Sequence, residues 1–430
     1  MRRRDFTLTV LGALGARPVG GARRFAPPRV NGPRLVESLR RLGAIGRTER
    51  GANRVAYTDA DREARAFAMD LMRAARLDVS IDAVGNILGR RAGADPALPP
   101  VFFGSHIDSV PDGGDYDGPV GSLAAIEVAR TMAERGLATR HPLEVVIFQN
   151  EEGGLIGSKA MAGLLTDREL AIVNRSGRSV REGIAFLGGD ADRLEGVRRA
   201  PGSIAGYLEL HIEQGAVLDQ TDVEIGVVEG IVGIGWWDVT VEGFANHAGT
   251  TPMDRRHDAL LSAARFVQAV NEIVRAESGR QVGTVGHIEA FPGAPNVIPG
   301  LARTSLEIRD LDREKIARLY QRVERAAHAI GREDGTTFTF RRTADIEPAP
   351  TDPRIREIIR TAARDLGLST SDLPSGAGHD AQDMTRLGPV GMIFVPSVGG
   401  VSHSPRELTR PEDVVNGANV LLGAVLALAG

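Results

Sequence analysis

Apolar positions along the first quarter of the chain recur every three or four residues, as at Leu35, Leu39 and Leu42, and this spacing predicts helices over 32–50 and 59–76. From 78 to 90 the pattern alternates and breaks at Gly85-Asn86, the signature of two strands joined by a turn. Short apolar runs at 101–104 and 143–149 read as strands, with a helix over 121–135 between them. Short strands separated by helices predict an α/β domain whose mostly parallel sheet is flanked by helices. In such sheets functional groups gather in the loops at the carboxyl ends of the strands.

From about 228 to 341 the rhythm changes. A strand at 235–243, a helix at 258–275, strands at 282–290 and 304–309, a helix at 313–330 and a strand at 336–342 follow in turn. The order β-α-β-β-α-β is that of the ferredoxin-like split βαβ sandwich, and it predicts an inserted domain. A helix at 353–367, a strand at 390–395 and a helix at 412–429 then resume the first domain, which is therefore discontinuous, 28–227 and 342–430, around an insertion at 228–341. Residues 1–27 stand apart. They open with consecutive arginines and a short apolar stretch, so they read either as a degenerate twin-arginine leader, which implies export, or as a basic tail on a cytoplasmic protein. The apolar stretch is too short to span a bilayer.

Composition narrows the chemistry. The 42% hydrophobic and 25% charged residues are those of an ordinary globular chain with ample core. A net charge of −4 without a long basic run offers no nucleic-acid footprint. Cysteine is absent, which removes disulfides, thiolate ligands and a cysteine nucleophile, so any metal must be held by nitrogen and oxygen.

The stretch GSHIDSVPDGGDYDG then stands out, because five ionisable groups follow directly on an apolar strand. Crowded carboxylates repel unless a positive charge lies between them, so this is either a solvated acidic loop or half of a metal site. Asn150-Glu151-Glu152 ends the next strand and brings more acid to the same sheet edge. His211, His247, His379 and His403 lie at strand ends or in glycine-rich loops, whereas His141, His257, His287 and His328 have no such setting. A lone loop histidine is more often a hydrogen-bonded residue than a ligand. Taken together, however, these groups supply what a pair of metal ions needs: a bridging carboxylate, imidazoles and carboxylates on either side, and a further carboxylate to take the proton of a water.

The motifs GSHIDSV, GGDYDG, NEEGG, LELHIEQG, NHAGTTPM, PNVIPG, SGAGHDA and FVPSVGGVSHSP, in this order from about residue 32 to the C-terminus, resemble one group of amidohydrolases. It is the N-carbamoyl-L-amino-acid hydrolase and allantoate amidohydrolase group (the hydantoinase/carbamoylase family), related to dinuclear carboxypeptidases and aminoacylases. The resemblance implies two divalent metal ions, zinc or else manganese, cobalt or nickel. His106 and His211 resemble terminal ligands of one, Glu152 and His403 ligands of the other, and Asp117 the bridge. Glu151 matches the general base, and Asp108 the carboxylate that orients His106. Gln214, His247, Asn296 and Arg309 match substrate-binding positions, with His247 also placed to stabilise a developing oxyanion. The insertion resembles a lid and dimerisation domain, implying a homodimer acting on a small ureido acid, with neither nucleic acid nor membrane as partner. His379 receives no role.

Each assignment has a plainer counterpart. Arg309 can form a surface ion pair with Asp310 or Glu307 instead of a clamp on a substrate carboxylate. His247 can cap its own loop. Asp112 and Asp115 are expected to remain solvated loop charges, while Gly113, Gly114 and Gly118 let the backbone fold tightly enough for His106 and Asp117 to converge. Three functions follow. The first is hydrolysis of N-carbamoyl-L-amino acids, and the second is the same chemistry on allantoate or a related ureido acid. The third is non-catalytic metal-dependent binding, against which Glu151 argues, since a binder needs no general base.

Overall fold

The computed structural model describes residues 27–430. The reading of residues 1–27 as leader or tail therefore falls, Pro27 apart, outside the described residues. The larger of two main sheets has nine strands. At its centre Val390–Val395, Gly206–Ile212, Val101–His106 and Leu143–Phe148 lie side by side, all parallel. Both sides of each strand are covered. Val101 and Phe103 enter one apolar cluster and Phe102 the other, and Val145 and Val146 divide in the same way. One layer contains the helices Gly32–Ala44, Asp59–Ala74, Pro119–Glu134, Pro353–Leu366 and Pro411–Ala429; the opposite layer contains the shorter Ile156–Ala162, Val180–Phe186 and Asp380–Met384. Pro411–Ala429 is long and apolar enough to cross a membrane by composition alone, but it lies in the first of these clusters, against the sheet.

The sheet is mixed, which corrects the expectation of a mostly parallel one. Four of its pairings are parallel and four antiparallel. The hairpin of Asp78–Ile81 and Ile87–Arg91 adds antiparallel to Leu143–Phe148. Its turn is tied by Asp82, whose Oδ1 accepts the N–H groups of Val84, Gly85 and Asn86. On the far flank Ile225–Ile231 runs against Val390–Val395. The first helix also stops earlier than its apolar spacing suggests. Ile45 is extended and Gly46 has φ of 71°, and the chain turns there into a small hairpin, Arg47–Thr48 with Gly51–Ala52.

The second sheet has five strands, all pairings antiparallel, in the order Val282–Thr284, Leu301–Asp310, Gly233–Glu242, Thr337–Ile346. Ile288–Phe291 pairs with the other half of Leu301–Asp310. The single strand expected over 282–290 is thus two. Thr284 pairs with Glu307 and Ile288 with Thr304, so one strand carries a residue more than its partner and bulges there. Helices Ala259–Arg275 and Arg313–Asp334 cover one face of this sheet, around a core of its own that includes Trp237, Val239, Phe266 and Val323.

Candidate active site

The four central strands of the larger sheet point their carboxyl ends to one edge, and each delivers polar side chains there. His106 is the last residue of Val101–His106 and is buried. Its Nδ1 is 3.1 Å from the main-chain oxygen of Asp108, which fixes the ring and leaves Nε2 facing inward. His211, one residue from the end of Gly206–Ile212, is held likewise, with Nδ1 3.0 Å from the oxygen of Ile212. Asp117 sits at the entry to helix Pro119–Glu134. Its Oδ1 is 3.8 Å from His106 Nε2 and 3.2 Å from His211 Nε2, while its Oδ2 is 3.4 Å from His403 Nε2. His403 Nε2 in turn lies 3.7 Å from Glu152 Oε2. Among the described residues two groups of potential metal ligands share Asp117, His106-Asp117-His211 and Asp117-Glu152-His403, and a third, Glu209-His211-His379, shares His211 with the first.

Donor chemistry supports a cation in each of the two that share Asp117. His106 Nε2, His211 Nε2 and Glu152 Oε1 are buried and have no hydrogen-bond partner among the described residues, and buried polar atoms seldom go without one. Electrostatics agree. In the metal-free protein, burial pushes Glu151 well above the usual carboxylate range, reinforced by Asp380 and Glu152 and opposed by His106. Burial and the charge of Asp117 raise Glu152 to about 7. Burial acts against the charge of Asp117 too, but the neighbouring His211 and His403 imidazoles outweigh it and hold this carboxyl well below its ordinary value.

Glu151 takes no part in these groups. Its Oε2 stands 3.8 Å from His106 Nε2, beside the first group, and the carboxyl is buried. A sharp turn, with Asn150 at φ of 56°, leads into the two adjacent glutamates. Asp108 has partners beyond the expected one. Its carboxylate is 3.5 Å from His106 Nδ1, but its oxygens accept the N–H groups of Glu151 at 3.3 Å and Glu152 at 3.2 Å. Both the main-chain oxygen and the carboxylate of Asp108 thus lie against His106 Nδ1, and the carboxylate also ties down the glutamate turn.

Of the four expected substrate contacts, only Gln214 belongs to the cluster, its Nε2 donating to Asp117 Oδ2 at 2.7 Å. His247 caps its loop, with Nδ1 accepting the N–H groups of Gly249 and Thr250. Asn296 lies beside it, its main-chain oxygen accepting from Ala248. Arg309 is paired with Glu307. No hydrogen bond or ion pair of these three reaches the ligand cluster among the described residues. Asp112 and Asp115 are not free loop charges but pair with Arg50 and Arg47. The glycines act as expected at two positions. A Cβ on Gly118, whose φ is 79°, would overlap the His106 ring, and one on Gly114 would overlap Glu407.

Glu407 escapes a reading of the sequence. It is buried, and its Oε1 accepts the N–H groups of Tyr116 at 2.8 Å and Asp117 at 3.1 Å. Ser402 Oγ lies 3.0 Å from its Oε2 and 2.7 Å from Asp117 Oδ2, so both residues hold Asp117 in place. Only its position four residues past His403, in VSHSPRE, hints at this. Glu209 is another. It alternates with His211 on the same strand and is bound by Ser105 Oγ, Tyr207 Oη and the N–H of Ala381. His379, left without a role, packs edge-on against His211 at 4.5 Å between ring centres, with Nε2 2.9 Å from Ser375 Oγ.

A three-layer mixed α/β sheet with paired His/Asp/Glu groups at its carboxyl edge defines a candidate metal-dependent hydrolase. Residues 102–427 match the profile of peptidase family M20/M25/M40, and the chain belongs to that family. It is 40% identical over 406 residues to an N-carbamoyl-L-amino acid amidohydrolase of Geobacillus stearothermophilus, covering 93% of this chain and 99% of that one. It is 38% identical to a ureidoglycolate hydrolase of Arabidopsis thaliana, covering 86% of this chain and 80% of the relative. Among solved structures, a hydantoinase/carbamoylase family amidase from Burkholderia multivorans superposes with a TM-score of 0.87 at 36% identity, covering 94% of this chain and 98% of the other.

Proposed function

We propose that this chain is an amidohydrolase that cleaves the carbamoyl C–N bond of N-carbamoyl-L-amino acids, with two divalent cations per subunit. The observation that carries the reading is the shared Asp117, one oxygen toward two partnerless imidazoles and the other toward His403, with Glu151 beside the first group. His106 and His211 would hold one cation, Glu152 and His403 the other, and Asp117 both. Zinc, manganese, cobalt and nickel all suit such nitrogen and oxygen donors. When bound, such a pair polarises the ureido carbonyl and makes a water acidic enough to attack it. Glu151 then accepts that water's proton and returns it to the leaving nitrogen, so that the amino acid departs and the released carbamate falls to ammonia and carbon dioxide.

The remaining assignments follow on the same reading. Residues 28–227 and 342–430 form the catalytic domain, and 228–341 a ferredoxin-like lid that brings His247, Asn296 and Arg309 to the substrate with Gln214. His247 donates toward the developing oxyanion, and its Nδ1, taken by two backbone N–H groups, puts its proton on Nε2 for that purpose. The same insertion would pair two chains, through exposed apolar residues such as Leu260, Leu261 and Val267 on its first helix. The Arabidopsis relative favours one alternative substrate, ureidoglycolate, a ureido acid as allantoate is.

The test is turnover of N-carbamoyl amino acids of both hands, allantoate and ureidoglycolate, with each of the four metals, on wild type and Glu151→Gln. The variant should keep both metals and lose roughly 10²–10⁴-fold in turnover. Full activity in Glu151→Gln would remove the proposed general base.

A further inference from the structure

Arg309 has a supporting frame that its role as a carboxylate clamp does not by itself explain. Glu307 and Arg309 are two apart on the strand Leu301–Asp310 and so share a face. Arg309 donates from Nε to Glu307 Oε1 at 2.8 Å and from Nη2 to Oε2 at 3.1 Å, a two-point fork. Directly across the sheet from Glu307 is Trp236, whose indole N–H donates to the same Oε2. The third nitrogen, Nη1, donates at 2.6 Å to the main-chain oxygen of Gly376, which belongs to the larger sheet's SGAGHD loop. A guanidinium has five N–H donors. Three are taken here, and the two that remain lie one on each terminal nitrogen. Burial works against the charge of Glu307, but the bonds from Arg309 and Trp236 outweigh it and hold its carboxyl below the usual value.

We infer that Glu307, locked by the Trp236 indole, is a positioning residue that fixes the Arg309 guanidinium so that its two remaining donors face the α-carboxylate of the substrate. This rests on the proposed function, in which Arg309 grips that carboxylate. An arginine side chain has several freely rotating bonds, and ordering it before binding removes a cost that substrate binding would otherwise meet. A glutamine at 307 offers one acceptor and sets an NH₂ against the guanidinium, so the fork is lost while size and shape are kept.

Glu307→Gln should therefore raise KM for N-carbamoyl amino acids by about 3- to 10-fold, the range that ordering one long side chain supplies, with kcat within about twofold. Trp236→Phe, which removes the indole N–H together with part of the ring, should shift KM the same way by less. The corresponding amides, which lack the carboxylate, should show no change in either variant. In an Arg309→Ala background Glu307→Gln should add nothing, since it acts only through the arginine. Arg309→Ala alone separates the two layers of the claim. If it lowers kcat/KM for acid and amide alike, the clamp fails and this inference falls with it. If it selectively impairs the acid, but Glu307→Gln leaves KM unchanged or lowers it, the clamp stands and the role of Glu307 is overturned. A lowered KM would mean that Glu307 competes with the substrate for the guanidinium.

Discussion

Replacing Glu407 tests whether the geometry of Asp117 is imposed from outside the ligand group. Glu407→Ala leaves the N–H groups of Tyr116 and Asp117 without their acceptor and Ser402 without one of its two partners. Each buried donor left unsatisfied costs ~1–3 kcal/mol, less where water enters, so the metal-free protein should lose roughly 2–4 kcal/mol of stability. With Asp117 free to swing, affinity for the cations should fall about 10- to 100-fold, as it does when outer partners of ligands are removed. At a fixed excess of metal that weakening takes away a further ~1.4–2.7 kcal/mol of metal-dependent stabilisation. Glu407→Gln predicts something different. Its carbonyl oxygen can still accept both N–H groups, and its NH₂ can donate to Ser402, whose hydroxyl then points wholly at Asp117. Affinity should stay within about threefold of wild type. The assay is competition for zinc or manganese between metal-free protein and a chelator, with urea unfolding alongside. Wild-type affinity in Glu407→Ala refutes the reasoning. A glutamine variant as weak as the alanine one would show that the charge of Glu407 matters, not its contacts.

Two further outcomes follow from other parts of the fold. Gly118→Ala puts a Cβ into the His106 ring at a backbone φ of 79°, so it should lower the melting temperature and the bound metal per chain, read by elemental analysis; full metal content would refute this. Asp61, buried in the helix Asp59–Ala74, is raised to about 6 by burial against the pull of Arg65 and the Tyr57 N–H. An unfolded aspartate titrates near 3.9, so between those values the folded chain holds the extra proton. The contribution of Asp61 is thus most favourable below the unfolded value and is lost as pH rises through about 6, by ~3 kcal/mol at 1.36 kcal/mol per pH unit. Asp61→Asn should flatten that slope in urea unfolding of the metal-free protein from about pH 4.5 to about pH 7, and an unchanged slope would count against it.

Much of this was legible in the sequence because strands bounded by loops announce themselves. His106, Glu151 and Glu152 stand at the ends of apolar runs, and the direction of a parallel strand sends them to one edge. The direction of the flanking strands was not legible. Val101–His106 and Ile225–Ile231 are apolar on both sides, and a run buried on both faces says nothing of which way its neighbour points. Glu407 and Glu209 stayed hidden for another reason. Each is a single acid whose importance lies in partners far along the chain, Asp117 for one and Ser105 for the other. Arg309 and His247 were recognised by motif, but their actual partners, Glu307 and the loop N–H groups, are matters of rotamer and local turn that spacing does not encode.

The order of the segments has a consequence for how the protein is made. The smaller sheet draws its strands from one unbroken stretch, Gly233–Glu242 to Thr337–Ile346, and can close as soon as that stretch has emerged. The larger one cannot. Val390–Val395 is needed at its centre, Asn419 holds the backbone of Val30, 389 positions earlier, and Ser402 reaches Asp117 across 285 positions. At about 5–20 residues per second of synthesis, Asp117 waits ~15–60 s for its partners. Through that interval the first strands and their crowded carboxylates exist without the residues that complete the cluster. Loading of the proposed metal pair therefore waits until His403 has been made, after the stretch that forms the smaller sheet, and it draws on the cations present at that stage.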